Sequence, residues 1–560
     1  MIAMHPSFLF FIAGLLVLLV PPIARKAIQL ATPVFAFLLL QGFIAYADIG
    51  PWTWSFFGFE FSLVQIDPLA LLFVYVFLLF AFLSNLYGLH ATDKNVPAAS
   101  NFYVGSSIGA VLAGDLVTLF IFWEIMALSS ALLIWNRDRK SSLGALFRYL
   151  LVHLTGGLFF FSGILLKLFT RSPIGMDALA FDLAGWLIFI SFLINAGIPP
   201  LHAWLPDAYP EGTPHGSIYL SAFTTKVAVY AFARGFAGAE ILIWLGALAA
   251  VYGVVYALME NDMRRLLSYH IVCQVGYMIC GIGIGSHLGI NAGTGHAVGN
   301  ILFKGLLFMA TGALIHMTGK YKLSDLGGMA RKDKWVLLFY MIGALAISGM
   351  PLLNGYVTKS LLLEAASHEH LGWLELTLLW VAVGTFLSIA LKLAYFAFWG
   401  ESEGPKTIRK VPLNMHLAMA GTSLVCLAIG IFPDNFFAFL PYEVHAQSYT
   451  LGHVIPTLEL LVATVLGFLL ILKFLHTKDV ISLDTDWFYR KGAYAFLDGL
   501  CYPIRRLQEW IQVTWTISLE KTNERLRRSF PHQDITAVGT PLLWMMLASL
   551  IVGIAVFAAL

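Results

Sequence analysis

Charge is what this sequence has least of. Only 12% of its 560 residues are Asp, Glu, Lys or Arg, against about a quarter in a soluble domain. No water-soluble fold could hide 59% hydrophobic residues behind so few charges, so the bilayer must serve as the solvent. Nor is one sign in excess: the formal net charge is +2, which offers no electrostatic footprint for nucleic acid. Cysteine is also scarce. Cys273, Cys280, Cys426 and Cys501 are scattered without a C-x-x-C pair, which argues against a metal centre or a disulfide framework. Cys273 and Cys280 could share one helix face, where two small apolar residues in a core are the simpler account. Nothing in the sequence binds flavin, an iron–sulfur cluster or a nucleotide, so no cofactor and no metal are expected. The first apolar run, Phe8 to Val20, has no basic leader and a second span follows it at once. It reads as a retained membrane helix rather than a cleaved signal peptide.

What the sequence does have is long apolar runs, with a mean hydropathy of +0.80. Each crossing needs about 20 apolar residues, which gives an all-α polytopic membrane protein of about sixteen transmembrane helices. The expected organisation is helices 1–3 in 1–98, a first half in 99–236, a second half in 239–399, two further helices in 413–475 and a terminal anchor in 541–560. Alternate loops test the order. One set carries Arg25, Lys26, Lys94, Arg137, Arg139, Lys140, Arg264, Arg265, Lys320, Lys322, Arg331, Lys332, Lys334, Lys406, Arg409 and Lys410. The other carries Asp48, Glu60, Arg171, Asp177, Asp182, Glu369 and Glu443. Basic loops stay inside, so an even helix count puts both termini outside a bacterial or archaeal cell membrane. One loop disagrees: Asp207 to Pro214 is acidic on the expected inside. The segment 486–530 is different in kind, mixing Trp487, Trp510 and Trp515 with Arg505, Arg506, Lys521 and Arg525. That composition suits a lateral helix lying in the membrane interface; a basic loop is the competing account.

A charged side chain at a helix centre costs about 2.5 to 3.5 kcal/mol on insertion scales and normally has a partner or a water-filled path. Glu124 falls mid-span in the fifth helix and Lys226 in the eighth, opposite charges within one half that are expected to pair. His296, Asn300 and Lys304 recur at i, i+4 and i+8, along one stripe of the eleventh. Lys359 lies in the twelfth and Lys392 in the thirteenth, with His153 and His270 as further candidates. Each alone has a structural explanation. A row of carboxylate, ammonium and imidazole groups across successive helices is what a proton relay requires.

Two spans are interrupted in the same manner. One reads INAGIPPLH (194–202), with Pro199 and Pro200; the other reads SGMPLLNG (348–355), with Gly349 and Pro351. Proline removes a backbone donor and clashes with the preceding turn. Breaks at matching places in two halves point to inverted repeats around a path at the midplane, here two repeats of about five helices, 4–8 and 9–13. Simple proline kinks are the alternative.

These residues also form recognisable blocks. GDLVTLFIFWEIMALSS (114–130) resembles the fifth-helix signature of the proton-translocating antiporter family. That family holds the large subunits of Mrp-type sodium/proton antiporters and the antiporter-like subunits of respiratory complex I and membrane-bound hydrogenases. PLHAWLPDA (200–208), ENDMRRLLSYHIVCQVGYM (260–278) and HAVGNILFKGLLF (296–308) are similar to further blocks, and LDTDWFYRK (483–491) to the tail of Mrp D-type subunits. The resemblance runs from about 67 to 400 and places the family's functional residues on Glu124, Lys226, His296, Lys304 and Lys359. It departs at two positions: the seventh-helix lysine aligns with Asn195 and a second eleventh-helix histidine with Asn300. An amide exchanges no protons at physiological pH.

The resemblance implies a subunit of a multisubunit sodium or potassium/proton antiporter, with other membrane subunits and the lipid bilayer as partners and no catalytic chemistry of its own. A subunit of a redox-driven pump, the membrane half of an inorganic-carbon uptake pair and an inert scaffold are the competing readings.

Overall fold

The computed structural model describes residues 5–45, 52–56, 58–135, 139–400, 408–474 and 484–529. The expected anchor at 541–560 lies outside them. The chain divides into two units, one up to Asp486 and one from Trp487 onward.

The first unit is built from helices. They are α1 (Pro6–Leu19), α2 (Pro22–Ala45), α3 (Pro68–Gly88), α4 (Asn95–Leu112), α5 (Leu116–Ile134), α6 (Ser141–Phe169), α7 (Leu183–Ala196), α8 (Trp204–Ala208), α9 (Pro214–Leu220) and α10 (Thr224–Gly235). There follow α11 (Glu240–Met259), α12 (Met263–Ile284), α13 (His287–Thr318), α14 (Lys334–Ser348), α15 (Asn354–His368), α16 (Gly372–Thr385), α17 (Leu413–Ile431), α18 (Pro433–Phe437) and α19 (Leu451–Ile471). Between α2 and α3 lies a small antiparallel hairpin, β1 (Thr53–Phe56) paired with β2 (Phe59–Ser62), which the run of aromatics there did not suggest. Among the described residues, ten helices are long and apolar enough to cross a membrane.

The scarce acidic residues have a local job. Asp67, Asp115, Asp182, Asp262 and Asp333 each accept backbone N–H groups at the start of a helix, where four donors would otherwise lack partners. Asp115 also settles the border between α4 and α5, which hydropathy alone leaves blurred. The backbone turns extended at Ala113, and the Asp115 carboxylate then caps Val117 and Thr118 at 2.8 Å each. The acidic loop that broke the charge pattern is neutralised from α6. Arg148 forks onto Asp207 at 2.6 and 2.9 Å, and Arg139 reaches Glu211 at 3.5 Å.

Polarity is arranged inside out. Trp380 and Leu470 are 76% and 78% exposed, whereas Lys226 and Lys304 are fully buried. Only a hydrocarbon surrounding makes that arrangement stable. The protein is therefore a polytopic all-α membrane protein, with α12 and α13 buried over nearly all of their length.

The second unit holds one described helix, α20 (Ala493–Ser529), of 37 residues. At about 1.5 Å per residue it is roughly 55 Å long. Trp510, Val513 and Trp515 stand exposed on it, and Arg505 pairs with Asp498.

Candidate functional site

Two interruptions organise the interior. α7 ends where Gly197 adopts φ 70°, and its N–H returns to the carbonyls of Leu193 and Ile194. α14 ends identically at Gly349, φ 84°, bonding to Leu345 and Ala346. Left-handed backbone is a glycine conformation, so each glycine stops its helix inside the apolar layer. Pro199, Pro200 and Pro351 then prevent it from resuming. The two interrupted spans are thus pairs, α7/α8 and α14/α15. The helices after them are irregular too. α9 and α10 are separated at 221–223, and α16 continues into wider π-type turns over Phe386–Leu393 and Tyr395–Trp399.

These irregularities free backbone carbonyls, and the buried lysines use them. Lys226 on α10 donates to the carbonyl of Ser221 at 2.7 Å. Lys359 on α15 donates to Ile347 at 2.7 Å, at the interrupted end of α14, and lies 5.0 Å from the Tyr277 ring centre. Lys392, in the π-type turn, donates to Leu258 and Glu260 at 2.6 and 2.8 Å, at the end of α11. Lys304 is the exception: it donates at 3.0 Å to Leu267, in the second turn of the unbroken α12. A carbonyl at a helix C-terminus attracts a cation, and it still accepts an N–H, more weakly, when the amine is neutral. The sites therefore hold a lysine in either protonation state without a fixed counter-ion.

The second half contains a connected polar file. His296 on α13 touches Thr358 Oγ1 of α15 at 2.9 Å and Gln274 Oε1 of α12 at 3.1 Å. His270 on α12 meets Ser388 Oγ at 2.6 Å, and Asn354 donates to the carbonyl of Gly299 at 3.1 Å. Gln274, Thr358, Ser388 and Tyr277 were not singled out from sequence, because uncharged polar residues carry little insertion cost.

The first half is put together differently. Glu124 on α5 turns its carboxylate onto Gly157 of α6, where a Cβ would lie 2.1 Å from Oε1. That Oε1 is buried without a protein partner. No ion pair joins Glu124 to Lys226, the pairing the sequence suggested; the lysine is committed to Ser221 instead. His153 on α6 packs against Tyr149 and Trp204, with ring centres 4.1 and 4.5 Å apart. It faces Asn195 without an aligned hydrogen bond. Asn195 and Asn300 are fully buried, and both side-chain polar atoms of each lack a protein partner.

Buried lysines on released carbonyls, histidines on neighbouring helices and two interrupted spans define a polytopic membrane protein with an ionisable interior. Residues 113–388, just under half of the chain, match the family described as NADH:quinone oxidoreductase/Mrp antiporter, TM. It is similar to the D-type subunit of the Na(+)/H(+) antiporter of Alkalihalophilus pseudofirmus, 30% identical over 54% of this chain and 65% of that one. It is also similar to the "Hydrogenase-4 component B" of Escherichia coli, 27% identical over 70% of this chain and 66% of that one. The chain thus spans slightly less than two thirds of the length of these relatives. In fold it resembles a chain of the Mrp complex from Dietzia sp. DQ12-45-1b, with a TM-score of 0.68, 22% identity and coverage of 78% of this chain and 95% of that one. It also resembles a chain of the archaeal membrane-bound sulfane sulfur reductase, with a TM-score of 0.70, 21% identity and coverage of 98% and 99%.

Proposed function

We propose that this chain is a proton- and monovalent-cation-translocating subunit of a multisubunit membrane complex, in the manner of Mrp Na+/H+ antiporters. The observation that carries the reading is the set of four buried lysines held by backbone carbonyls, three of them, Lys226, Lys359 and Lys392, at or near interrupted helices. Such groups can change protonation without rearranging a counter-ion, and a merely structural core has no use for them. Glu124, Lys226, His296, Lys304 and Lys359 carry the protons. His153, His270, Lys392, Asn195 and Asn300 lie beside the path. Residues 99–236 and 239–399 act as two inverted halves, with the basic loops on the cytoplasmic side and both termini outside. Sodium or potassium is the exchanged ion. The test is proton movement driven by added Na+ or K+ in inverted vesicles carrying the whole complex. Lack of any cation-dependent signal overturns the reading.

A second reading, a pumping subunit of a redox-driven complex, is supported by the similarity to a hydrogenase component and by the full-length likeness in fold to a chain of a respiratory complex. Purification of the native complex separates the two, since redox subunits with bound cofactors come with the chain only in the second. In either case the lateral helix α20 acts as a brace for a neighbouring subunit. Ending the chain after Asp486 should leave an inserted protein that loses its partners on purification.

A further inference from the structure

A further titratable pair sits at the loop of the first interruption. His202 follows Pro199 and Pro200 in that loop and is fully buried. Its Nε2 lies 3.3 Å from the Oδ1 of Asp484, a carboxylate delivered by the segment between α19 and α20, more than 280 residues away in the chain. Tyr252 of α11 donates to Asp484 Oδ1 at 2.6 Å and Tyr269 of α12 to Oδ2 at 2.5 Å. The Tyr252 ring stands edge-on to the imidazole, 4.5 Å between centres. Burial alone would raise the Asp484 carboxyl. The His202 imidazole and the two tyrosine hydroxyls outweigh it and hold the group below the ordinary carboxylate range. The His202 Nδ1, on the other side of the ring, is buried with no protein partner. Arg265, paired with Glu260 at 3.3 Å, and Asp486 are the charges next outward.

Placing a carboxylate in so buried a position is costly unless it is paired, and here an imidazole and two tyrosine hydroxyls surround it. We propose that His202 and Asp484 are a proton-handling pair at the basic end of the first half, where Asn195 supplies no titratable group. This inference rests on the proposed proton-translocating role. A proton taken up by His202 gives an imidazolium whose charge the Asp484 carboxylate balances. Loss of the Nδ1 proton to the interior restores the neutral ring, with Nε2–H still facing Oδ1. Asp484 thus acts through His202, as a positioning residue for its charge and tautomer.

The experiment compares D484N, D484E, H202Q and D484N/H202Q in the whole complex in inverted vesicles, recording cation-driven proton movement from pH 6 to 9. D484N should lower the rate at least about tenfold and flatten its pH dependence, while D484E recovers most of the rate. H202Q should match D484N, and the double variant should be no worse than either. Wild-type rates and pH profile in assembled D484N or H202Q would overturn the pair, as would additive losses in the double variant. If D484N fails to assemble, H202Q alone carries the test. A silent wild type would instead overturn the proposed function. The pair would then fail separately if D484N left hydrogen exchange in 197–213 unchanged.

Discussion

The two interruptions share a backbone device and differ in what holds it. In the second half, the open carbonyl of Ile347 receives the ammonium of Lys359. In the first, the carbonyl of Ile194, one position further from its glycine, receives the neutral indole of Trp204 at 2.9 Å. The loop of the second break is fastened just before α19, where the Tyr449 hydroxyl accepts the Leu352 N–H at 3.0 Å and donates to Gly430 at 2.5 Å. The loop of the first is fastened by Asp484, in the segment that precedes α20, through His202. The same glycine-stopped turn can hold a cation directly, or leave it out and carry its titratable group on the far side of the loop. On the proposed role of His202 and Asp484, that difference would account for Asn195 standing where the family resemblance places a lysine.

The largest expected effect breaks the first half at the carboxylate of α5. Glu124→Gln keeps the shape and the contact with Gly157 but cannot bind and release a proton. Cation-driven proton movement should fall by about 100-fold or more, with the complex still assembled. Full transport by this variant would remove Glu124 from the path and leave the first half without an acid on α5.

The second half breaks at Lys304, and here activity and stability should part company. The ammonium is fully buried with one carbonyl partner at 3.0 Å. Replacing a buried charge by an apolar side chain of similar length is often neutral or stabilising. Lys304→Met should keep or raise the thermal midpoint of the purified complex while cutting transport by about tenfold or more. A lower midpoint with normal transport would make the lysine structural.

How far these sites could be read in advance depended on the physics of each residue. The bilayer enforces span length, and Gly-Pro breaks stand out against it, so the helices and both interruptions were legible. Lys226, Lys304 and Lys359 were legible because a charge inside an apolar run is conspicuous. Their partners were not, since a carbonyl freed by a helix end leaves no mark in the sequence. The Glu124–Lys226 pairing was inferred from opposite charge, which gives no distance, and Ser221 proved the nearer partner. Asp484 stood in an acidic patch before a basic segment, with nothing to connect it to His202. The hairpin at 53–62 was hidden among aromatics that read equally well as the edge of a membrane span.

A smaller effect sharpens the contrast between the two fasteners. Tyr449→Phe removes an acceptor and a donor from the second loop, where Leu352 is held at φ 71°, a conformation disfavoured for a non-glycine residue. Loss of these bonds should cost about 1–3 kcal/mol of stability, seen as a lower melting midpoint. The pH profile of transport should keep its shape, because no group at this loop's fastener titrates near neutrality. A changed profile would mean that the two fasteners are not chemically distinct.

The smallest effect is expected at Asn300. It lies one turn from both His296 and Lys304 on α13 and is fully buried, yet its amide has no protein partner. A side chain that bonds to nothing contributes little through its polar atoms, and unbonded burial of an amide is itself unfavourable. Asn300→His places an imidazole between His296 and Lys304, where the family resemblance puts one. Transport should therefore be unchanged or higher, measured as initial rate per assembled complex. Asn195→Lys makes the harder control, because that site adjoins His153 and the Trp204 ring rather than a released carbonyl. A severe loss in Asn300→His with normal assembly would show that the amide itself is needed, and that the second half does not work as an uninterrupted file from His296 to Lys359.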